Sequence, residues 1–340
     1  MAAREALLAG VSRGSKRRAQ VDELVRQGDP GHARRLASCG RQSAELACGD
    51  CGGSNYVPIS CDSRLCSDCM TRRMGELIGK YSPTIANSWP RPTLLTLTIP
   101  NVEDAVGGKE RVQDAFGRFR RRVVPLSGES RTGQKRWAWK PWMLDGPVTD
   151  PWRGQVLQGR GREFVESVER EFVDEDRGVP MDRLMRGGLY GIDIKQQDTD
   201  RFHVHIHALI DMAYVPQPAL AEVWRDVTGA SGDAGEIVDV RRIRGGDRDE
   251  IEDALAEVTG YVTKPPEFES VEDEVAVMLE LKGARLVQPF GDLHGRTVED
   301  TAWLLCSCCD RAPDHWEYLG VVDKVDDEIE VVTRADRPPP

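Results

Sequence analysis

Residues 202–210, FHVHIHALI, constrain the fold of this chain more than any other stretch. Side chains alternate faces along a strand. His203, His205, His207 and Leu209 therefore share one face, and Val204, Ile206, Ala208 and Ile210 share the other. The second face is wholly apolar and is expected to pack on helices. The first displays three of the chain's six histidines, spaced about 7 Å apart. Just upstream, LYGIDIK and the polar QQDTD complete a β-hairpin. With the turn near Asp198–Thr199, Asp193 falls opposite or diagonal to His205, and on its face if odd positions pair with odd.

Imidazoles at i and i+2 can both reach one divalent ion. A carboxylate beside them makes a three-ligand site with open positions, suited to Mg²⁺ or Mn²⁺ held together with phosphate oxygens. The candidate ligands are His205, His207 and Asp193, with His203 adjacent. The alternative is a polar face of a half-exposed strand, with Asp193 solvated.

The surroundings of the hairpin indicate an α+β domain with a mostly antiparallel sheet. Arg91–Pro100 reads as a strand, 110–123 and 162–176 as helices, PALAEVWRDVTG as a helix and EIVDVRRI as a strand. DEIEDALAEVTGYVTK is a helix stopped by Pro265 and Pro266. The expected organisation is a basic, partly helical segment over 1–38, a cysteine-rich module over 39–88 and a catalytic domain over 89–270. That domain carries a basic insertion at about 105–185, and an acidic, cysteine-containing segment follows over 271–340.

Six of the nine cysteines lie in one window, Cys39, Cys48, Cys51, Cys61, Cys66 and Cys69. No secretory leader is recognisable at the N-terminus, so a cytoplasmic protein is expected, and CxxC pairs there favour metal over disulfides. Cys48-x2-Cys51 and Cys66-x2-Cys69, 14 residues apart, suit one structural tetrahedral Zn²⁺. Cys61 offers a competing ligand, and Cys39 or His32 could complete a second site. Cys306, Cys308 and Cys309 are either further ligands or buried thiols.

On the last helix, Glu257, Tyr261 and Lys264 stand at i, i+4 and i+7 and share a face. Alone this is an ordinary amphipathic helix. In order along the chain, Leu94-Leu95-Thr96-Leu97-Thr98, His205-Ile206-His207-Ala208-Leu209 and Tyr261-Val262-Thr263-Lys264 resemble the three motifs of the HUH endonucleases. Within them, the chain is most similar to single-tyrosine rolling-circle replication initiators (Rep) of plasmids and viruses. The resemblance covers about 90–270 and is shared by HUH transposases and relaxases.

It implies an antiparallel-sheet, ferredoxin- or RRM-like HUH core beside an N-terminal zinc-binding module. It implies a metal-dependent endonuclease in which His205 and His207 hold Mn²⁺ or Mg²⁺. Tyr261 would attack the scissile phosphate to leave a 5′-phosphotyrosine and a 3′-OH primer, and Lys264 would position or stabilise charge. Glu257 would activate the water, or position the second nucleophile, that ends the cycle. A zinc-dependent DNA-binding regulator with a structural His strand is the reading of a different class.

The net charge of -11 argues against a protein basic all over, yet the charges segregate. Residues 118–140 carry eight basic residues against one acid, with tryptophans interleaved. Arg118, Arg120, Arg121, Arg122, Lys135, Arg136, Trp137 and Trp139 are the expected contacts to origin or single-stranded DNA. From 297 onward there are 11 acids against 4 basic residues. The sequence has no GxxxxGK[ST] phosphate loop, which leaves recruitment of a helicase open; a host helicase and polymerase are the candidate further partners beside DNA. No apolar run reaches the roughly 20 residues of a membrane span.

Overall fold

A computed structural model describes residues 15–125, 127–129, 136–138, 178–198, 201–229, 238–244, 246–263, 268–295, 306–311, 315–325 and 328–333. The chain begins with helices α1 (Ser15–Arg26) and α2 (Pro30–Ser38), strands β1 (Gln42–Cys48) and β2 (Ser54–Pro58), and helix α3 (Ser67–Ser88). Strand β3 (Pro92–Thr98) and helix α4 (Ala105–Phe119) follow. Short strands β4 (Val123–Val124), β5 (Ser127–Glu129), β6 (Arg136–Ala138) and β7 (Val179–Pro180) lead to a single helical turn, α5 (Met181–Leu184). The long hairpin is β8 (Met185–Asp198) and β9 (Arg201–Met212), then α6 (Gln217–Thr228), β10 (Val238–Arg242) and α7 (Arg248–Thr263). The chain closes with α8 (Val271–Glu280), β11 (Val287–Gly291), β12 (Trp316–Val325) and β13 (Glu328–Thr333). The helix expected over 162–176 lies outside the described residues.

Two compact units emerge. One takes in residues 1–72, 270–278 and 297–340, and the other residues 73–269 and 279–296. The fold is thus mixed α and β, with antiparallel sheets and a cysteine-rich N-terminal region. In the first unit, β13-β12-β1-β2 form a four-stranded sheet. The buried faces of α1 (Val21, Leu24) and α2 (Ala33, Leu36) form apolar core in the same unit. Pro30 occupies the first turn of α2, where its missing N–H costs nothing, and Asp29 caps it by accepting from the His32 N–H at 3.0 Å.

In the second unit, five strands pair antiparallel in the order β10-β3-β9-β8-β11, placing β9 at the centre. The registers align three rows across β3, β9 and β8. They are Leu94–Leu209–Leu189, Thr96–His207–Gly191 and Thr98–His205–Asp193. Asp193 is therefore directly opposite His205 rather than diagonal.

The even-numbered face of β9 is apolar and covered by α4 and α6. Phe116 of α4 lies 5.0 Å from the Tyr190 ring, and Trp224 of α6 donates to the Thr98 carbonyl at 2.7 Å. The alternation pattern leaves the other face open, but the structure covers it with α7. That helix starts where Asp247 accepts from the Glu250 N–H at 3.2 Å, with Asp249 and Glu250 favourably placed in its first turn. Ile251, Ala254, Leu255 and Val258, at i, i+3, i+4 and i+7, form its fully buried stripe. They pack with Leu94, Leu189 and Leu209. Burying each large aliphatic side chain contributes about 1.5–3 kcal/mol, which explains why a helix settles on the face that carries the histidines.

Candidate functional site

The rows beneath α7 change from leucine to polar as they run along the sheet. Asp193, His205 and His207 are only 1, 7 and 5% exposed. One potential ligand atom from each lies within 4.8 Å of the others. Asp193 Oδ2 is 2.9 Å from His205 Nε2, yet among the described residues it accepts no well-aligned hydrogen bond. Two ligands at right angles on an ion with bonds of about 2.1 Å stand about 3.0 Å apart. Two imidazoles and a carboxylate form a donor set suited to a divalent ion, and the spacing fits one.

Neighbouring groups hold this set in place. Thr96 Oγ1 lies 3.1 Å from His207 Nδ1, a contact that orients the ring and would leave Nε2 as the atom to meet an ion. Burial first, and the charge of His205 second, push His207 down to about 4, so its ring is neutral at physiological pH. The Lys195 ammonium is 3.8 Å from Asp193 Oδ2. His203 stands at the rim, 3.0 Å from Asn101 Oδ1, and lies outside the three-ligand group. Burial also lowers its pKa.

One close approach brings α7 over the site. A Cβ at Gly191 would sit 2.0 Å from the Val258 carbonyl oxygen, so only glycine permits this spacing. Glu257 Oε1 is 3.8 Å from His207 Nδ1, and Arg241 on β10 grips Glu257 Oε2 at 2.7 Å. Tyr261 stands one helical turn beyond Glu257 on α7. Its side chain, and all of Lys264, lie outside the described residues.

The residues expected to meet DNA are placed unevenly. Arg118, Arg121 and Arg122 are exposed on or just after α4, with Arg118 paired to Asp114 at 3.2 Å and Arg122 to Asp226 at 3.0 Å. Arg120 turns inward instead, 4.7 Å over the Phe290 ring and 5.3 Å over Phe116, and burial lowers its pKa. Phe119 is fully buried against Trp224. The reason is helical phase: positions 112, 115, 116 and 119 form the buried stripe of α4, and 120 lies at its edge. Arg136 and Trp137 have a described backbone in β6. Their side chains, together with Lys135 and Trp139, lie outside the described residues.

The cysteines sort differently from the spacing argument. Cys66-x2-Cys69 does not join Cys48-x2-Cys51. It gathers with Cys39 and Cys61, all four buried. Their sulfurs are separated by 3.3 Å (Cys39–Cys69), 3.5 Å (Cys61–Cys69) and 3.6 Å (Cys39–Cys66). Four sulfurs around a tetrahedral zinc lie about 3.8 Å apart, whereas a disulfide spans about 2.0 Å. Hydrogen bonds from Cys39 and Cys61 pull Cys66 down to about 6, and the Arg17 guanidinium adds a bond to its sulfur at 3.3 Å. Cys61 is pushed up by its bonds to Cys39, Cys66 and Cys69. Such a crowd of thiols is resolved by a cation, and the four fit a structural Zn²⁺. His32 is not among them; its Nε2 lies 2.6 Å from Ser63 Oγ. Cys48 and Cys51 stand with Cys306 and Cys309.

No described helix is long and apolar enough to cross a membrane. No curated protein and no solved structure matches the chain. Residues 17–97, from within α1 to within β3, are similar to the transposase zinc-binding domain of the IS91 type, and they contain the whole Cys39, Cys61, Cys66 and Cys69 group.

Proposed function

We propose that this chain nicks and rejoins single-stranded DNA through Tyr261, as an HUH transposase engaged in rolling-circle DNA processing. The observation that carries this is the buried Asp193, His205 and His207 set beneath α7, the helix that also bears Glu257 and Tyr261. The similarity of residues 17–97 to a transposase domain supports transposition over the replication-initiator reading suggested by the three motifs. An HUH initiator would use the same core.

A bound Mg²⁺ or Mn²⁺ supplies polarisation of the scissile phosphate. His205, neutral His207 and Asp193 would hold it, and Thr96 fixes the His207 ring. The Tyr261 oxygen attacks phosphorus, the new O–P bond forms, and the P–O3′ bond breaks. The phenol proton is lost to solvent and the departing 3′ oxygen regains one, leaving a 3′-OH and a 5′-phosphotyrosine. Lys264, three residues after Tyr261, balances the charge of the transferring phosphate. Glu257, held by Arg241, activates the water or positions the 3′-OH that reverses the link.

The test is incubation of the full chain with Mn²⁺ and single-stranded DNA, followed by denaturing gels. A covalent protein–DNA adduct is expected, and it should vanish in Tyr261→Phe. Persistence of the adduct in that variant refutes the nucleophile. DNA binding without cleavage across many substrates favours the zinc-dependent regulator. Cleavage restricted to a plasmid origin favours the replication initiator.

A further inference from the structure

Cys306 and Cys309 lie far outside the segment similar to the transposase domain, which ends at residue 97. They nevertheless meet Cys48 and Cys51 in one group. Cys51 and Cys306 stand 255 positions apart in the chain, yet their sulfurs are 3.6 Å apart, and Cys48 and Cys309 are separated by 4.0 Å. These values bracket the roughly 3.8 Å edge of a tetrahedral zinc–thiolate centre.

The two C-x2-C turns share one backbone design. The Cys48 N–H donates to the Gly53 carbonyl at 2.9 Å, and the Cys306 N–H donates to the Arg311 carbonyl at 2.8 Å. The Gly52 N–H returns to the Cys48 carbonyl at 2.8 Å, and the Asp310 N–H returns to the Cys306 carbonyl at 2.9 Å. The residue after each second cysteine is left-handed, Gly52 at φ 70° and Asp310 at φ 54°. Aspartate is among the few non-glycine residues that adopt this conformation readily, so Asp310 fills the position that Gly52 fills in the first turn. Backbone N–H groups also point at the sulfurs, from Gly53 to Cys51 and from Cys308 to Cys306, each at 3.4 Å. Strand pairing supplies the register: Cys48 ends β1 opposite Trp316, the first residue of β12.

We infer that Cys48, Cys51, Cys306 and Cys309 bind a second structural zinc, making the β13-β12-β1-β2 sheet a zinc ribbon whose two knuckles come from opposite ends of the chain. Cys308 is a spare, exposed thiol beside it. The four thiols of the first group are buried, whereas Cys51 is exposed and Cys309 partly so. The second ion is therefore the one a chelator reaches first.

Cobalt substitution of the full chain tests this, because thiolate-to-cobalt absorption reports only sulfur-ligated metal and is insensitive to an ion at the histidine site. The wild type should show two tetrathiolate sites per chain, and Cys306→Ser/Cys309→Ser should show half that absorption. Cys308→Ser should keep it all. With zinc, a chelator should remove one equivalent in a fast phase that the double variant lacks. One tetrathiolate site in the wild type, an unchanged signal in the double variant, or iron in place of zinc overturns the inference. If the double variant does not fold, the wild-type intensity alone decides.

Discussion

Replacing Gly191 with alanine tests how the site is built. A Cβ there would lie 2.0 Å from the Val258 carbonyl oxygen. An ordinary carbon–oxygen contact is about 3.3 Å, so α7 must lift by about 1.3 Å. Overpacking of this kind costs about 1–3 kcal/mol. At about 2–4 °C per kcal/mol for a unit of this size, the melting temperature should fall by several degrees. The same lift moves Glu257 and Tyr261 away from the histidine row, and a displacement of about 1 Å in a catalytic group costs about 100-fold in rate. Thermal unfolding and the rate of adduct formation at saturating Mn²⁺ measure the two effects. Wild-type melting together with a rate within about twofold of wild type would refute the close packing of α7 on β8.

Thr96→Val removes the contact that orients His207. It should weaken Mn²⁺ binding by about 10–100-fold with little change in melting temperature, as read by calorimetry. Glu257→Gln should preserve adduct formation and impair rejoining of the nicked strand; equal loss of both would contradict its assigned role. His207 has its pKa lowered from 6.5 to about 4, so folding favours the neutral ring. In the metal-free protein this stability is present above about pH 6.5 and is lost as pH falls toward about 4, by up to about 3 kcal/mol. Urea midpoints between pH 7 and 4 should show that loss in the wild type and a shallower one in His207→Gln.

Local pattern carried much of this architecture. Alternation in 202–210 specifies a strand with histidines on one face, and the apolar stripe of 251–258 specifies a helix with a single buried side. The CxxC spacings mark metal-binding turns. What such patterns omit is which surface meets which. The histidine face reads as open, yet α7 closes it, because the same odd-numbered face also carries Leu209 beside Leu94 and Leu189. Arg120 reads as a phosphate contact, yet it stacks on Phe290, a residue 170 positions away.

The cysteines show the division most clearly. From sequence alone, two neighbouring CxxC pairs look like one site. The structure splits them, since Cys48 ends a strand that pairs with β12 and Cys51 follows in the turn, while Cys66 and Cys69 lie at the start of α3 beside Cys39 and Cys61. Sequence determined the ligand chemistry, because sulfur and imidazole are properties of single residues. Only the tertiary structure decided the grouping, because strand pairing and helix packing bring together residues whose separation along the chain bears no relation to their distance in space.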